Sequence, residues 1–397
     1  KSSAASDVYK RQVNTQYGES SGLEEFCEKA QLLNIEVMKG MYEAWNDKMW
    51  NDAAGLLIWM SHPAYPSFVW QTYDYYYDPT GAYWGAKKAC EPLHIQWNAS
   101  NNSIKAINTT AKDLKGATAK ATIYDLNGKE VLAYGQTKQV DVAASDIAEA
   151  FTLNFNPFNL AYGKNVVASS STSASKSASM VADGGAGSRW ESAYSDPQWI
   201  YIDLGKEEKI EKVILKWEAA CAKKYELQVS NDAQEWKTVY ANKDGRGGTE
   251  QIELEPVTAR YVKLAGISRA TQFGYSLFEF EIYGEKPKEI EELTPLHFIK
   301  LELTDVKGNL ISENFYWRNG VNDLDYTLLN TLPEADLSCR LVDKSMSDGK
   351  MKIAVKNNSE TVAFANRVRL VNKATQKRIL PIIMSDNYAT LMPGEEK

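Results

Sequence analysis

Histidine and cysteine are scarce in this chain of 397 residues. The three histidines stand far apart, at positions 62, 94 and 297, and this spacing argues against a His-rich metal site. Four cysteines fall in four separate segments without metal-ligand spacing (Cys27, Cys90, Cys221 and Cys339). We expect them to be buried free thiols, because an isolated cysteine packs as a small apolar side chain.

Long apolar runs and an excess of basic charge are also lacking. No run approaches the roughly 18 residues that a membrane-spanning helix needs, so no membrane span is expected. The sequence has 45 basic and 52 acidic residues, a formal net charge of −7, without a basic cluster. This balance argues against nucleic acid as a partner.

Aromatic residues, by contrast, are concentrated in one connection. Between Trp59 and Trp84 lie three Trp, six Tyr and one Phe, mixed with Pro, Gly and Asp. Rings with polar tips can stack on a sugar ring while they hydrogen-bond its hydroxyls. The segment therefore favours a carbohydrate site, although packing over a core remains the ordinary role for any single ring.

The residues around this loop follow the pattern of an α/β barrel. Residues 55–60 form a continuous apolar run, typical of a parallel strand that is buried on both faces. Residues 82–90 predict a short helix after a turn at 78–81. An amphipathic helix with a Ser21–Glu24 capping box is predicted ahead of the strand from apolar residues at three- and four-residue steps (Phe26, Ala30, Leu33, Val37, Met41 and Ala44). Barrel active sites lie on the loops after the strands.

This region resembles the last strand and loop of the catalytic barrel in family 2 glycoside hydrolases, with the exo-β-glucosaminidases first and the β-mannosidase-like enzymes next. The resemblance rests on Pro66, Trp70 and the runs 73–76, 81–83, 85–88 and 91–94. It implies that the subsite for the terminal sugar is shaped by Trp59, Tyr65, Trp70 and Asp74. His62 and Tyr65 depart from the Asn and Trp that are usual in the family, which leaves the identity of the sugar open.

The same resemblance implies a retaining hydrolase with an acid/base and a nucleophile about 5 Å apart. In the family both carboxylates follow earlier barrel strands, whereas five glutamates here fall on the predicted helix, where solvated or capping roles are usual (Glu24, Glu25, Glu28, Glu36 and Glu43). No catalytic residue is therefore assigned, and the chain is expected to be a fragment that hydrolyses nothing. Residues 1–12 show no apolar periodicity, and we interpret them as a non-native, adapter-derived segment outside the fold.

From residue 93 onward short alternating strands predict antiparallel sandwiches. Residues 92–160 give an incomplete immunoglobulin-like domain, and strands at 293–318 supply the part that is missing. The intervening segment is therefore an insertion, which exposed loop tips tolerate. We predict a multidomain, mostly β fold: a remnant of a (β/α)8 barrel at 13–91, two immunoglobulin-like β-sandwiches at 92–160 plus 293–318 and at 319–397 (truncated), and an inserted jelly-roll β-sandwich.

The inserted residues 163–285 resemble a discoidin-type (factor V/VIII type C) domain, a group that includes family 32 carbohydrate-binding modules. The resemblance rests on phrases in the correct order: 165–169, 182–184, 189–190, 197–205, 225–230, 260–262, 274–276 and 278–284. It implies a jelly-roll sandwich whose loops at one end bind sugar. The candidates in those loops are Glu191, Glu218, Arg246 and Phe273, whereas Trp190 also fits a core position.

A structural calcium ion is the cofactor that this resemblance implies. The matching side chains are Asp183, Ser188 and Glu279, and oxygen ligands with loop carbonyls suit a hard cation. The alternative is that Asp183 only caps a turn.

Three functions remain open at this point. The favoured one is the C-terminal part of an extracellular or periplasmic exo-β-glycosidase, with a module that binds a β-linked polysaccharide or glycan. The others are a stand-alone glycan-binding protein and a protein-recognition or adhesion module.

Overall fold

The computed structural model describes residues 3–51, 53–66, 71–185, 187–285, 293–322, 324–343 and 350–397. The chain divides into two compact units. Unit 1 comprises residues 1–98, 103–153 and 292–397, and unit 2 comprises residues 99–102 and 154–291.

Three α-helices begin unit 1: α1 (Ser3–Tyr17), α2 (Leu23–Asp47) and α3 (Gly81–Ala89). Helices α2 and α3 approach closely because α3 carries glycines at the contact. A Cβ atom on Gly81 would lie 2.2 Å from the carbonyl oxygen of Gln31, and one on Gly85 would lie 2.5 Å from that of Ile35. Larger residues at these two positions would therefore push the helices apart.

Helix α2 confirms the predicted helix but not its predicted buried face. Ala30 and Leu33 are buried as expected, whereas Val37 and Met41 are exposed. In its second half the helix instead buries polar side chains, including Lys39 and Glu43. The predicted capping partner is also wrong, because the backbone N–H and the hydroxyl of Ser21 donate to Glu25 rather than to Glu24.

Residues 3–12, which were left out of the predicted fold, are part of α1. The hydroxyl of Tyr9 lies 3.1 Å from both Ala30 O and Asn34 Oδ1 of α2. Further along α1, Val13 and Tyr17 are buried in a cluster with apolar residues of α2. Contact with the apolar start of α2 explains why the segment is helical although its own sequence has little apolar periodicity.

The predicted barrel strand at 55–60 is not formed. The described segment 54–58 has no regular secondary structure, and Leu57 is 101% exposed and Trp59 90% exposed. A strand buried on both faces needs neighbouring strands for its backbone hydrogen bonds and its apolar contacts. In the described part of the chain, no strand pairs with this segment.

The first strands of unit 1 are β1 (Leu93–Asn98), β2 (Ser103–Asn108), β3 (Leu114–Asp125), β4 (Gln136–Val142) and β5 (Asp146–Thr152). Strands β1, β2 and β5 form a three-stranded antiparallel sheet with the order β1-β2-β5. Strand β3 pairs with β4 in a separate sheet.

Unit 2 contains the strands β6 (Asn165–Ala168), β7 (Trp190–Glu191), β8 (Gln198–Trp217), β9 (Ala222–Ser230), β10 (Lys237–Asn242), β11 (Thr249–Arg269) and β12 (Ser276–Tyr283). Their order is β10-β9-β11-β8-β12-β7, and β6 pairs with β8. Register shifts bend the long β8–β11 ladder. The strands enclose one apolar core that includes Trp190, Tyr225 and Phe280.

The chain then returns to unit 1 with β13 (Leu296–Thr304), β14 (Leu310–Asn319), β15 (Leu337–Asp343), β16 (Lys352–Asn357), β17 (Ala363–Asn366) and β18 (Ala389–Leu391). Strand β13 pairs with β3, so the sheet β14-β13-β3-β4 contains strands from both sides of unit 2 in the sequence. Strand β1 contacts β14 and β2 contacts β4, so the two sheets pack as a sandwich. The mostly β, multidomain fold class is confirmed.

The C-terminal part contains two separate strand pairs. Strands β15 and β16 form one hairpin and β17 pairs with β18, while residues 379–383 form no strand. Residues 366–379 instead form a looser hairpin, which is held by Ile379 N–H donating to Leu370 O and by Asn372 N–H donating to Lys377 O.

Candidate functional site

The aromatic loop after α2 exposes some of its predicted sugar-binding residues. Trp59 and Tyr65 present 90% and 69% of their surface to solvent. Trp70 lies outside the described residues. The two ends of the loop meet where Tyr73 N–H and the Thr72 hydroxyl donate to Ser61 O, each at 3.0 Å.

Asp74 closes a turn in this loop. Its Oδ1 accepts hydrogen bonds from the backbone N–H groups of Tyr76 and Asp78, at 2.8 and 2.9 Å. Tyr77 N–H donates to Asp74 O at 3.1 Å. Asp74 therefore stabilises the turn of its own loop. From the sequence it was assigned only to the sugar subsite.

Unit 2 brings together three of its four predicted sugar-binding residues. Arg189 joins Glu191 and Glu218, with Nη2 3.0 Å from the first carboxylate and Nη1 3.1 Å from the second. The strand that follows the Phe273 loop reaches the same place, because Glu218 N–H donates to Ser276 O. Arg246 is 87% exposed at its side chain and pairs loosely with Asp244, and no contact joins it to this group in the described residues.

Tyr194 belongs to the same group, although the sequence did not single it out. Tyr194 and Phe273 are about half exposed, at 52% and 49%, and meet edge to face with ring centres 6.0 Å apart. The Tyr194 hydroxyl donates to Glu191 at 2.7 Å. We name Glu191, Tyr194, Glu218 and Phe273 the loop-end site. In the sequence Tyr194 was marked only by its position three residues after Glu191. Its contact with Phe273 is seen only in the folded structure.

The charges of the loop-end site are held in place by neighbours. Burial of Glu191 acts to raise its pKa, but hydrogen bonds from Lys176 and Tyr194 outweigh it and keep the pKa below its usual value. Arg269 donates to the carbonyls of Gln272 and Phe273 at 3.2 Å and fixes the loop that carries the exposed ring. Trp190 is 1% exposed and donates to Ser170 O, so it is a core residue.

The predicted calcium ligands Asp183 and Ser188 are in contact. Asp183 Oδ1 accepts hydrogen bonds from Gly185 N–H and from the Ser188 hydroxyl, both at 2.8 Å. Glu279 is 4% exposed, and its Oε1 is buried without a hydrogen-bond partner among the described residues. Burial, followed by the negative charge of Asp183, raises the pKa of Glu279 to about 9.

This arrangement fits a hard cation. Two neighbouring carboxylates, one of them with an unsatisfied buried oxygen, are costly without a positive charge between them. In the described ranges no three His, Cys, Asp or Glu side chains form a metal cluster by themselves. Loop carbonyls near Asp183 would therefore have to complete the set of ligands.

The helix carboxylates of unit 1 have structural partners. Glu43 is buried and accepts hydrogen bonds from Asn314 and Tyr316 at 2.8 Å, and His94 Nε2 lies 3.1 Å away. Burial acts to raise the pKa of Glu43, but His94 and Lys39 hold it below its usual value. Burial raises the pKa of Glu36 to about 7, beside the Tyr17 hydroxyl. These contacts give Glu36 and Glu43 structural roles that require no part in catalysis.

The cysteines of the described residues are free, as predicted, but not all are buried. Cys221 is buried and Cys27 is partly exposed, whereas Cys90, at the end of α3, and Cys339, within β15, are exposed. The correction follows from position, because the last turn of α3 and a two-stranded hairpin do not enclose their side chains.

None of the helices in the described part of the chain is both long and apolar enough to cross a lipid bilayer.

Comparison with known families identifies two domains. Residues 165–280 match the F5/8 type C domain, and residues 314–397 match the Ig-fold domain of exo-β-D-glucosaminidase. The exo-β-D-glucosaminidase of Amycolatopsis orientalis is 41% identical over 130 residues, which are 32% of this chain and 12% of that protein. The chain thus spans about an eighth of the curated relative.

Two solved structures are similar to different parts of the chain. The exo-chitosanase of Amycolatopsis orientalis has a TM-score of 0.58 at 22% identity, over 98% of this chain and 33% of that one. A chitosan-binding module from a Paenibacillus chitosanase/glucanase, solved with chitotriose, is 44% identical over 32% of this chain and 100% of the module, with a TM-score of 0.31.

Over these parts of its length the chain is similar to F5/8 type C domains and to exo-β-D-glucosaminidases. The matched Ig-fold domain is one described from exo-β-D-glucosaminidases, and the curated relative is itself an exo-β-D-glucosaminidase. The resemblance drawn from the sequence is confirmed at this level.

Proposed function

We propose that this chain is the carbohydrate-binding, C-terminal part of a secreted, retaining exo-β-D-glucosaminidase, and that unit 2 binds a β-linked glucosamine polymer. The loop-end site carries the proposal. It joins two half-exposed rings, Tyr194 and Phe273, to the carboxylates of Glu191 and Glu218.

The chemistry of this site matches an aminosugar. The exposed rings offer faces for stacking on a pyranose, and the carboxylates can accept hydrogen bonds from hydroxyl and ammonium groups. Glu218 is the better ammonium partner, because its side chain is 27% exposed and pairs with one cation, Arg189, whereas that of Glu191 is 6% exposed and pairs with both Lys176 and Arg189. Binding by unit 2 would raise the concentration of polymer near a catalytic domain.

The hydrolytic chemistry belongs to other residues in this proposal. A retaining glycosidase uses two carboxylates about 5 Å apart beside the sugar. Glu36 and Glu43 are occupied by structural contacts, and Glu25 accepts from Ser21 and Lys29. We therefore place the catalytic pair in a part of the intact protein outside this sequence. A polymer substrate also favours a location outside the cytoplasm, extracellular or periplasmic.

Calcium is part of the proposal as a structural ion of unit 2. Asp183, Ser188 and Glu279 would hold it, and Glu279 would gain the partner that its buried oxygen does not have among the described residues. Bound calcium would fix the loop that contains Asp183 and supply no chemistry to hydrolysis.

Titration calorimetry with the full chain tests sugar binding. We expect a glucosamine hexamer to bind, and Phe273→Ala to weaken it about tenfold because a stacking ring is lost. Glu218→Gln should weaken the glucosamine hexamer more than the N-acetylated hexamer, since acetylation removes the ammonium charge. The matched controls are Ile267→Ala, an exposed apolar residue, and Glu235→Gln, an exposed acid, and both should bind normally.

Two results would contradict the proposal. Absence of any response to either hexamer, with a protein ligand captured instead, would favour a recognition module. Release of 4-nitrophenol from its β-D-glucosaminide by the pure chain would show that the chain contains its own catalytic pair.

A further inference from the structure

Two arginines of the C-terminal part grip the aromatic loop of unit 1. Asp78 Oδ2 accepts from Arg367 Nη2 at 2.5 Å and also from Arg378 Nη1. Arg378 Nη2 lies 3.6 Å from Asp74 Oδ2. We name these four residues the arginine clamp. Two guanidinium groups on neighbouring carboxylates define the position of the loop more narrowly than a single ion pair can.

The arginines are themselves held by the hairpin at 366–379. Arg378 forms a bridge with Val371 across the hairpin, and Ile379 N–H donates to Leu370 O at 2.9 Å. The Arg367 guanidinium lies over the Tyr388 ring, 5.9 Å from its centre. The clamp therefore connects the aromatic loop to the hairpin at 366–379, whose backbone is held by its own hydrogen bonds.

On its outer side the clamped loop presents three consecutive tyrosines, Tyr75, Tyr76 and Tyr77, which we name the tyrosine turn. They are 40%, 56% and 59% exposed. Tyr75 and Tyr76 meet edge to face with ring centres 5.2 Å apart, and Tyr77 stacks on His62 at 4.6 Å. Rings that are exposed yet ordered by neighbours lose little freedom when a ligand contacts them.

The backbone of this turn depends on the carboxylate that Arg378 approaches. Asp74 Oδ1 holds the N–H groups of Tyr76 and Asp78, while its Oδ2 faces Arg378. Asp74 thus stabilises the turn through Oδ1, while Arg378 orients its carboxylate through Oδ2. Asp78, with a side chain only 13% exposed, fixes the far end of the turn.

We propose that the tyrosine turn is a sugar-contact surface for a β-linked hexosamine chain, and that Arg367 and Arg378 are positioning residues for it. This inference rests on the proposed function. The charges of Asp74 and Asp78 are balanced by the two arginines, so the turn recognises ring faces and hydroxyls rather than the ammonium group. It therefore binds glucosamine and N-acetylglucosamine chains alike, in contrast to the loop-end site.

The test uses the full chain with Phe273→Ala, which weakens the loop-end site. Calorimetry with both hexamers measures the binding that remains in this variant. The same measurement is then made on the double variant, in which Tyr76→Ala is combined with Phe273→Ala. We expect an additional loss of about tenfold for both hexamers, as for loss of one stacking ring. Tyr76→Phe keeps the ring and should lose less, which guards against a result caused by misfolding.

The positioning role is measured by the arginine variants in the same background. Arg378→Gln should lower affinity about threefold and speed amide exchange of Tyr76 and Asp78, whose N–H groups donate to Asp74. Arg378→Lys keeps the charge and should restore part of both readouts. Lys377→Gln removes a neighbouring exposed charge and is the matched control, with no change expected.

The outcomes separate the two proposals. If neither hexamer binds the unmodified chain, the proposed function itself fails. If the hexamers bind and Phe273→Ala removes all binding, or Tyr76→Ala adds no loss, the tyrosine turn is not a sugar surface and the loop-end site stands. If Arg378→Gln changes neither affinity nor exchange, the arginines do not position the turn.

Discussion

At the scale of single residues, the strongest constraint in unit 1 is the group of polar side chains around Glu43. Lys39 is buried beside it and donates to Phe315 O at 2.7 Å and to Asn314 Oδ1 at 3.2 Å. His94 places Nε2 3.1 Å from Glu43 and Nδ1 3.5 Å from Glu91. Buried charges of this kind add little net stability over apolar packing, but they are costly to break one at a time.

Replacement of Glu43 tests this constraint. Glu43→Gln leaves Lys39 and His94 without their shared carboxylate, and we expect a loss of about 3 kcal/mol in the free energy of unfolding. Chemical denaturation followed by circular dichroism measures it. Glu28→Gln on the exposed side of α2 is the control and should change stability by less than about 0.5 kcal/mol. Equal losses in the two variants would show that the buried group is not held by charge.

Residue-scale prediction from the sequence succeeded where a local phrase has one structural role. Trp190 was assigned as a core alternative because the Arg-Trp phrase is constant in the discoidin-type domains that this segment resembles, and Trp190 is buried. Tyr194 and the arginine clamp were not predicted. Their partners, Phe273 for the tyrosine and Asp78 for the arginines, are 79 or more residues away, and no local pattern records such a meeting.

At the scale of secondary-structure elements, the pair β13–β14 carries a buried histidine in a fixed tautomer. His297 Nδ1 lies 3.0 Å from Thr294 O and must donate, because a carbonyl only accepts. Nε2 faces Arg318 Nη1 at 3.2 Å and must accept, because a guanidinium only donates. Burial, with the charge of Arg318, lowers the pKa of His297 to about 4.

This histidine predicts acid sensitivity. The ordinary pKa in the unfolded chain is about 6.5, so the unfolded state binds the proton first as the pH falls. The stability from His297 is complete above pH 6.5 and is lost between about 6.5 and 4, up to about 3 kcal/mol in all. His297→Gln should be less stable than the parent at pH 7, and the difference should narrow by about 2 kcal/mol at pH 5. Parallel stability curves for the two proteins would contradict this.

Secondary structure was predicted correctly where the pairing partners of a strand lie in the same domain, and wrongly where the partners are not among the described residues. The strands of unit 2 were predicted from alternation and recurring phrases, since their pairing partners lie within the same domain. The apolar run at 55–60 has the composition of a buried strand, yet it forms none, because no described strand pairs with it. Helix α2 was predicted, but its polar second half is buried by contacts with β14 that periodicity alone does not reveal.

At the scale of the whole molecule, the two units have separate cores. The core of unit 2 is contained within residues 160–282, and its proposed ion site lies within the same unit. Domains with their own cores unfold as separate transitions when they are not strongly coupled. A ligand that binds only one folded unit therefore shifts only the transition of that unit.

Calcium should therefore act on one transition only. In scanning calorimetry of the full chain we expect two transitions, of which calcium raises one. At a hundredfold excess over its dissociation constant the gain is about 2.7 kcal/mol. A chelator should reverse the shift and Glu279→Gln should reduce it, while Glu253→Gln at an exposed position should leave it intact. A shift in both transitions, or in neither, would argue against a calcium site in unit 2.

The pairing of β3 with β13 also has a consequence for synthesis of the protein. Asp125 pairs with His297 and Thr118 with Thr304, so every paired partner in β13 is made more than 170 residues after β3. At about 5–20 residues per second, the ribosome needs roughly ten to thirty seconds to deliver it. During this time β4 can cover only one edge of β3, and the other edge is open to strands of neighbouring nascent chains. Unit 2 emerges within the same interval, so its folding on the ribosome would set how soon the two halves of the interrupted sheet can meet.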